Sequence, residues 1–197
     1  QDPTSLPWKT HDLPGVVHAS EYDMGPLGEA YFDTESYQLN PPPSWNSGWT
    51  YRNDGVDIEK FTDAVNSNGY MVGFVDTEDW MSYSVNIPQD SVYTIKVRQG
   101  CSGSTGGNFY FEADGVRLTP NYYATNTGSW TVMSTKTIPN VVLSSTDKKI
   151  RFVANQGGFN VTSFEFVATG ATTTTTADYV HAVTYNNTTI EVQTNKP

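Results

Sequence analysis

Val92-Tyr93-Thr94-Ile95-Lys96-Val97-Arg98 alternates apolar and polar residues from Tyr93 onward, and the same period recurs along the chain in short bursts. A period of two places one set of side chains on each face of a β-strand, whereas a helix needs apolar residues three and four apart. Residues 56–61 (VDIEKF) alternate in the same way. Residues 108–113 (NFYFEA) and 116–119 (VRLT) flank Asp114-Gly115, a pair that favours a two-residue hairpin because both positions adopt positive φ. Further short strands are expected at 16–19, 30–32, 72–75, 82–85, 132–138, 141–143, 149–154 and 160–167. Strands at this spacing, with no amphipathic helical period, predict an all-β fold, a β-sandwich or jelly roll.

Residues 72–85 (VGFVDTEDWMSYSV) hold two of these strands and the acidic turn Asp76-Thr77-Glu78-Asp79 between them. Phe74 enters the corner and Trp80 leaves it. Residues 121–130 and 157–160 carry aromatic residues in turn-rich sequence and read as loops that can be brought beside this corner.

A chain of 197 residues can bury a core without disulfides, and the single Cys101 has no partner within it, so it reads as a small filler at a strand end. Charged residues are only 16% and the net charge is −10. No basic stripe exists to neutralise phosphates, which excludes nucleic acid and disfavours anionic membranes and polyanionic glycans. No apolar run is long enough to span a membrane as a helix. The glycine-rich loop at 100–107 lacks the lysine and following helix that a phosphate cradle needs. Gln1-Asp2-Pro3 opens with neither a basic nor an apolar region, so a mature product or an excised module is expected. Abundant Thr, Tyr, Asn, Ser and Gly with little charge suggests an extracellular, secreted protein.

Residues 1–12 read as an N-terminal linker or strap, 13–169 as the domain, and 170–177 as a linker with five threonines at 172–176. Residues 178–197 read as a β-like extension or the start of a following domain, with short runs at 179–183 and 188–192 around Asn186-Asn187. Pro41-Pro42-Pro43 exclude a helix or central strand there. Trp45, Trp49 and Tyr51 follow, and either cap one end of the sandwich or wall a ligand groove.

A glycosidase needs two carboxylates facing each other across a cleft. Asp76, Glu78 and Asp79 crowd one corner and read as a solvated acidic turn. His11, His18 and His181 are scattered, with no metal-ligand spacing and no pairing with Cys101 or a serine. No catalytic residue and no metal ligand is assigned, and a binding protein is expected before an enzyme.

Four pieces occur in order: Leu13-Pro14-Gly15 entering a strand, VGFVD followed by DWMSY at 72–83, Thr127-Gly128-Ser129-Trp130, and Gly157-Gly158-Phe159-Asn160. Together they make the chain resemble a family 6 carbohydrate-binding module over residues 13–169. Such modules are β-sandwiches attached to bacterial polysaccharide hydrolases such as laminarinases and agarases. The resemblance implies two sugar sites. An end cleft would use Phe74, Trp130 and Asn160, with Asp33 as a loosely aligned polar residue and Tyr70 and Phe159 as neighbours. Phe74 stands where the family usually has Tyr, so it keeps a stacking face and lacks a hydroxyl. A sheet-face cleft would use Trp80 and Tyr123, with Glu78 close by; the alternative for Trp80 is core packing. The family's structural calcium is expected to be absent, because its carboxylate positions are His18, Ser20 and Thr162. Hydroxyls and imidazole should hydrogen-bond in its place.

The reading that follows is a monomeric, non-catalytic module that targets a covalently linked catalytic domain to a neutral polysaccharide, first a laminarin-type β-1,3-glucan and next an agar-type galactan. A structural or adhesion β-sandwich without a sugar site is the alternative.

Overall fold

The computed structural model describes residues 5–34, 51–52, 54–103, 106–171, 182–185 and 189–192. Pro41-Pro42-Pro43, Trp45, Trp49, the threonines at 172–176, His181 and Asn186-Asn187 lie outside the described residues.

Two sheets face each other. The first has the order β1 (His11–Asp12), β6 (Trp80–Asn86), β12 (Lys149–Gln156), β8 (Asn108–Ala113), β10 (Tyr122–Tyr123), with β3 (Tyr31–Phe32) on β6 and β9 (Val116–Arg117) on β8. The second has the order β11 (Ser134–Leu143), β7 (Ser91–Gly100), β13 (Phe159–Ala171), β5 (Tyr70–Val75), β4 (Ile58–Lys60), with β2 (Gly15–His18) on β13. This is an all-β sandwich. β14 (Ala182–Tyr185) and β15 (Thr189–Val192) form a separate antiparallel pair.

The alternating strands bury the set expected of them. Tyr93, Ile95 and Val97 of β7 are in the core, and Phe109 and Phe111 of β8 meet Phe152, Phe159, Phe164 and Phe166 between the sheets. Phe152 and Phe164 stack at 5.0 Å, and Phe111 meets Phe164 edge-on at 5.3 Å. Each such ring contributes about 1.5–3 kcal/mol of burial, so this seam holds the layers together. At the hairpin, Glu112 pairs with Arg117 and Ala113 with Val116, and Asp114 and Gly115 have φ of 45° and 82°, as a type I′ turn requires.

Several strands differ from expectation. The expected strands at 132–138 and 141–143 are one strand, β11, whose register shifts between Ile138 and Val141. The first strand stops at His18 because residues 19–21 form a 3-10 turn that buries Ser20 and Glu21. β13 runs on to Ala171, where it still pairs with Ser91.

The N-terminal segment lies along the sandwich. Leu6 bridges Met24, and β1 pairs with β6 in parallel. The buried Arg52 lays its guanidinium 3.6 Å over the Tyr22 ring and 4.8 Å over Trp8, and donates to the Asp23 carbonyl at 3.0 Å.

Candidate functional site

The corner between β5 and β6 is held by one side chain. Asp79 accepts hydrogen bonds from the Thr34 N–H (2.9 Å), the Thr34 hydroxyl (3.1 Å) and the Asp76 N–H (2.7 Å). Asp79 is buried, which corrects the expectation of a wholly solvated acidic turn. Burial pushes its carboxyl up and these bonds oppose the shift. The neighbouring loop is locked on: the Gly158 N–H donates to the Val75 carbonyl (2.8 Å) and the Gly157 N–H to the Thr77 hydroxyl (3.1 Å). A side chain at Gly157 would begin 2.5 Å from the Asp76 backbone, so only glycine permits this approach.

Asn160, at the start of β13, joins two aromatic residues from distant parts of the chain. Its Oδ1 accepts from the Phe74 N–H at 3.1 Å, and its Nδ2 donates to the Trp130 carbonyl at 3.0 Å. Phe74 has φ of 47°, a left-handed conformation that costs a non-glycine residue about 1–2 kcal/mol. Phe74 is 54% exposed, and Trp130 is 47% exposed. The Trp130 loop is seated by Thr127, whose N–H and hydroxyl both donate to the Cys101 carbonyl (2.9 and 3.1 Å). One buried amide therefore aims two exposed rings, and its own polar atoms are engaged with backbone. Glu59 on β4 lies close to the same junction. A side chain at Gly73 would begin 3.5 Å from Glu59 Oε2 and 3.7 Å from Asn160 Oδ1, so the carboxyl lies beside the Phe74–Asn160 junction. Burial pushes it above the usual carboxylate range.

Three of the expected neighbours are elsewhere. Asp33 follows β3 in the other sheet and is buried near the Thr34–Asp79 contact. Tyr70 is at the opposite end of β5, about 13 Å from Phe74 by strand rise, and stacks on Tyr51 at 4.3 Å. Phe159 belongs to the core seam. Glu59 was legible as an outward residue of an alternating strand; its place beside Gly73 depends on the β4–β5 register, which pairs it with Met71.

On the outer face of the first sheet, Phe32, Glu78, Trp80, Tyr110, Val153, Ala154 and Asn155 line a cleft of about 410 Å³. Trp80 is half-buried there rather than a core residue. Glu78 takes φ of 74° and donates its N–H to the Ala154 carbonyl (2.8 Å). Tyr123 is 64% exposed on β10 opposite Asn108 and is not part of the cleft lining, whereas Tyr110 is.

The side chains at the family's cation positions do not fit a calcium ion, which needs several free oxygens with net negative charge. Ser20 Oγ accepts from Asn68 Nδ2 at 2.9 Å, and Thr162 Oγ1 donates to Asp63 at 3.2 Å. Asp63 is itself claimed by Arg98, which donates to both carboxylate oxygens at 2.6 and 2.8 Å. The two hydroxyls are thus engaged with Asn68 and Asp63, and His18 bonds the Asn66 backbone while its buried Nδ1 has no partner. Among the described residues no group of three or more His, Cys, Asp or Glu could hold a metal.

The sequence matches the model of the carbohydrate binding module family 6 over residues 49–168. No curated protein matches. Among solved structures, a β-1,3-glucan binding family 6 module from Bacillus halodurans is 20% identical with a TM-score of 0.57, covering 81% of this chain and 100% of that one. A carbohydrate-binding module from Cellvibrio mixtus lichenase 5A, in complex with cellotriose, is 31% identical with a TM-score of 0.51, covering 60% and 91%. A Clostridium stercorarium module in complex with cellobiose is 14% identical with a TM-score of 0.56, covering 82% and 98%. The family match spans more than half of the sequence and the sandwich is shared with these structures, so the chain belongs to family 6 of the carbohydrate-binding modules, which bind sugars without cleaving them.

Proposed function

We propose that this chain is a monomeric, non-catalytic module that binds a neutral β-glucan outside the cell, through the end cleft, and so holds an attached polysaccharide hydrolase at its substrate. The observation that carries the reading is the single Asn160 amide that presents Phe74 and Trp130, both rings about half exposed, at one end of the sandwich. Rings left in water and fixed by their backbones are suited to stacking on the C–H face of a pyranose. Glu59 beside them supplies a hydrogen-bonding group for a sugar hydroxyl. The likeness to the lichenase module solved with cellotriose supports a glucan, and a net charge of −10 opposes uronate or sulfated chains. Laminarin-type β-1,3-glucan is the first ligand and agar-type galactan the second. Affinity per site is modest, since solvent competes for every hydroxyl, and the attached enzyme gains through raised local concentration.

Isothermal titration of laminari-, cello- and agaro-oligosaccharides against wild type and Trp130→Ala tests this. Wild type is expected to bind one glucan series, and Trp130→Ala to lose roughly ten-fold or more of the affinity. Binding of agaro-oligosaccharides alone would move the assignment to galactan. Absence of heat with all three series would favour a structural sandwich without a sugar site.

A further inference from the structure

We propose that Asn68-Gly69, in the loop between β4 and β5, is a latent deamidation site: the fold restrains its amide through Ser20 and Ser67, and local opening of the loop releases it. The proposal is independent of what the module binds. Asn68-Gly69 is the only Asn-Gly pair in the sequence. Glycine has no side chain to shield its nitrogen from the side chain before it, so this pair is the one most open to ring closure. Nothing lies within 4 Å of where a Cβ at Gly69 would stand, and φ there is 92°. Asn68 and Gly69 also line a surface depression of about 340 Å³ with Lys60, Phe61, Thr62 and Tyr70, so water reaches them.

The reaction is internal in its first step. The Gly69 nitrogen gives up its proton and attacks Asn68 Cγ. A C–N bond forms, the Cγ–Nδ2 bond breaks, and the nitrogen leaves as ammonia with that proton. Water then opens the five-membered imide at either carbonyl, which yields an aspartyl or an isoaspartyl residue. In the fold three bonds oppose ring closure. Asn68 Nδ2, the leaving nitrogen, donates to Ser20 Oγ at 2.9 Å, and Asn68 Oδ1 accepts from the Tyr70 N–H at 3.2 Å. The Gly69 N–H, on the attacking nitrogen, donates to Ser67 Oγ at 3.1 Å. Both serines are themselves fixed. Ser20 is buried in the 3-10 turn, and Ser67 Oγ also accepts from the Asp63 N–H at 3.1 Å. The product cannot restore this arrangement, because a carboxylate has no N–H to give to Ser20. The isoaspartyl form also adds a carbon to the backbone beside the Phe61 N–H to Gly69 carbonyl bond (2.9 Å) that closes the loop. An opening that is reversible beforehand thus becomes permanent.

The test holds wild type, Ser20→Ala, Ser67→Ala, Asn68→Gln and Ile138→Val at mildly alkaline pH, which favours loss of the amide proton. Peptide mapping by mass spectrometry follows the aspartyl and isoaspartyl forms at position 68. Wild type is expected to react more slowly when folded than in denaturant. Ser20→Ala and Ser67→Ala should each react roughly two- to ten-fold faster than folded wild type, the worth of one hydrogen bond. Ile138→Val loosens the core at β11, three strands from β5, and should leave the rate unchanged. With ageing, the melting temperature of wild type should fall while Asn68→Gln keeps its own. Equal rates for folded and denatured wild type would overturn the proposal, as would no acceleration in either serine variant. Equal acceleration in Ile138→Val would also overturn it, since global unfolding would then be the route.

Discussion

Replacing Asn160 with alanine is expected to abolish measurable binding at the end cleft, a larger effect than removing either ring alone. The side chain is buried and joins the Phe74 N–H to the Trp130 carbonyl, so its loss releases both rings at once. Each backbone group left unpaired costs about 1–3 kcal/mol where water cannot reach it. Without the bond to its N–H, Phe74 also has less reason to stay at φ of 47°. Asn160→Asp separates the two anchors: it keeps an acceptor for the Phe74 N–H but sets an anion against the Trp130 carbonyl. Titration of the preferred oligosaccharide should show no end-cleft binding for Asn160→Ala and an intermediate loss for Asn160→Asp. A wild-type affinity in Asn160→Ala would mean that the rings need no common anchor.

The second large effect concerns stability. Arg98→Ala is expected to cost about 3–5 kcal/mol, because it leaves the Asp63 carboxylate buried without its partner. The side chains are 3% and 12% exposed, so solvent screens this pair little. Burial alone pushes the Asp63 carboxyl up, but hydrogen bonding to Arg98 and its charge outweigh that and hold it below the usual range. A carboxyl depressed in the folded state contributes stability that is complete above its unfolded value, about 3.9, and is lost as pH falls through the folded value. In Arg98→Ala the Val65 N–H and the Thr162 hydroxyl still bond Asp63, but the larger lowering effects of Arg98 are gone and burial counts for more against the charged form. The deficit of the variant, measured by denaturant unfolding, should therefore be largest near neutral pH and narrow on acidification. We propose further that Asp63–Arg98–Thr162 and Asn68–Ser20 clamp the 61–69 loop to the sandwich without any calcium. Wild-type unfolding should then have the same midpoint with chelator as with added calcium, and a midpoint raised by calcium would sink that proposal.

Features set by local sequence were readable before the fold was seen. The Asp114-Gly115 hairpin, the alternation of β7 and β8 and the corner at residues 76–79 depend on neighbours in the chain. Phe74, Trp130 and Asn160 come together through the loop chemistry at Thr127 and Gly157, and those glycines and hydroxyls are visible as turn residues. What could not be read was register between distant strands. The β4–β5 pairing that sets Glu59 beside Gly73 has no local signature, so Glu59 was not singled out. That Tyr110 rather than Tyr123 is level with Trp80 follows only from the β12–β8 and β12–β6 registers. Tyr70 was expected beside Phe74, and the length of β5 separates them.

The corner carries a further consequence for diversification. Phe74 leads into one cleft and Trp80 into the other, and the turn between them is pinned by Asp79 to Thr34 and Asp76 through bonds made inside the sandwich. Outward-facing rings and framework bonds are thus divided between adjacent residues. A randomised library at positions 74, 78 and 80 would vary what each surface grips while Asp79, Thr34 and Gly157 keep the scaffold rigid. The same division makes the module a template for grafting new glycan specificities, one surface at a time.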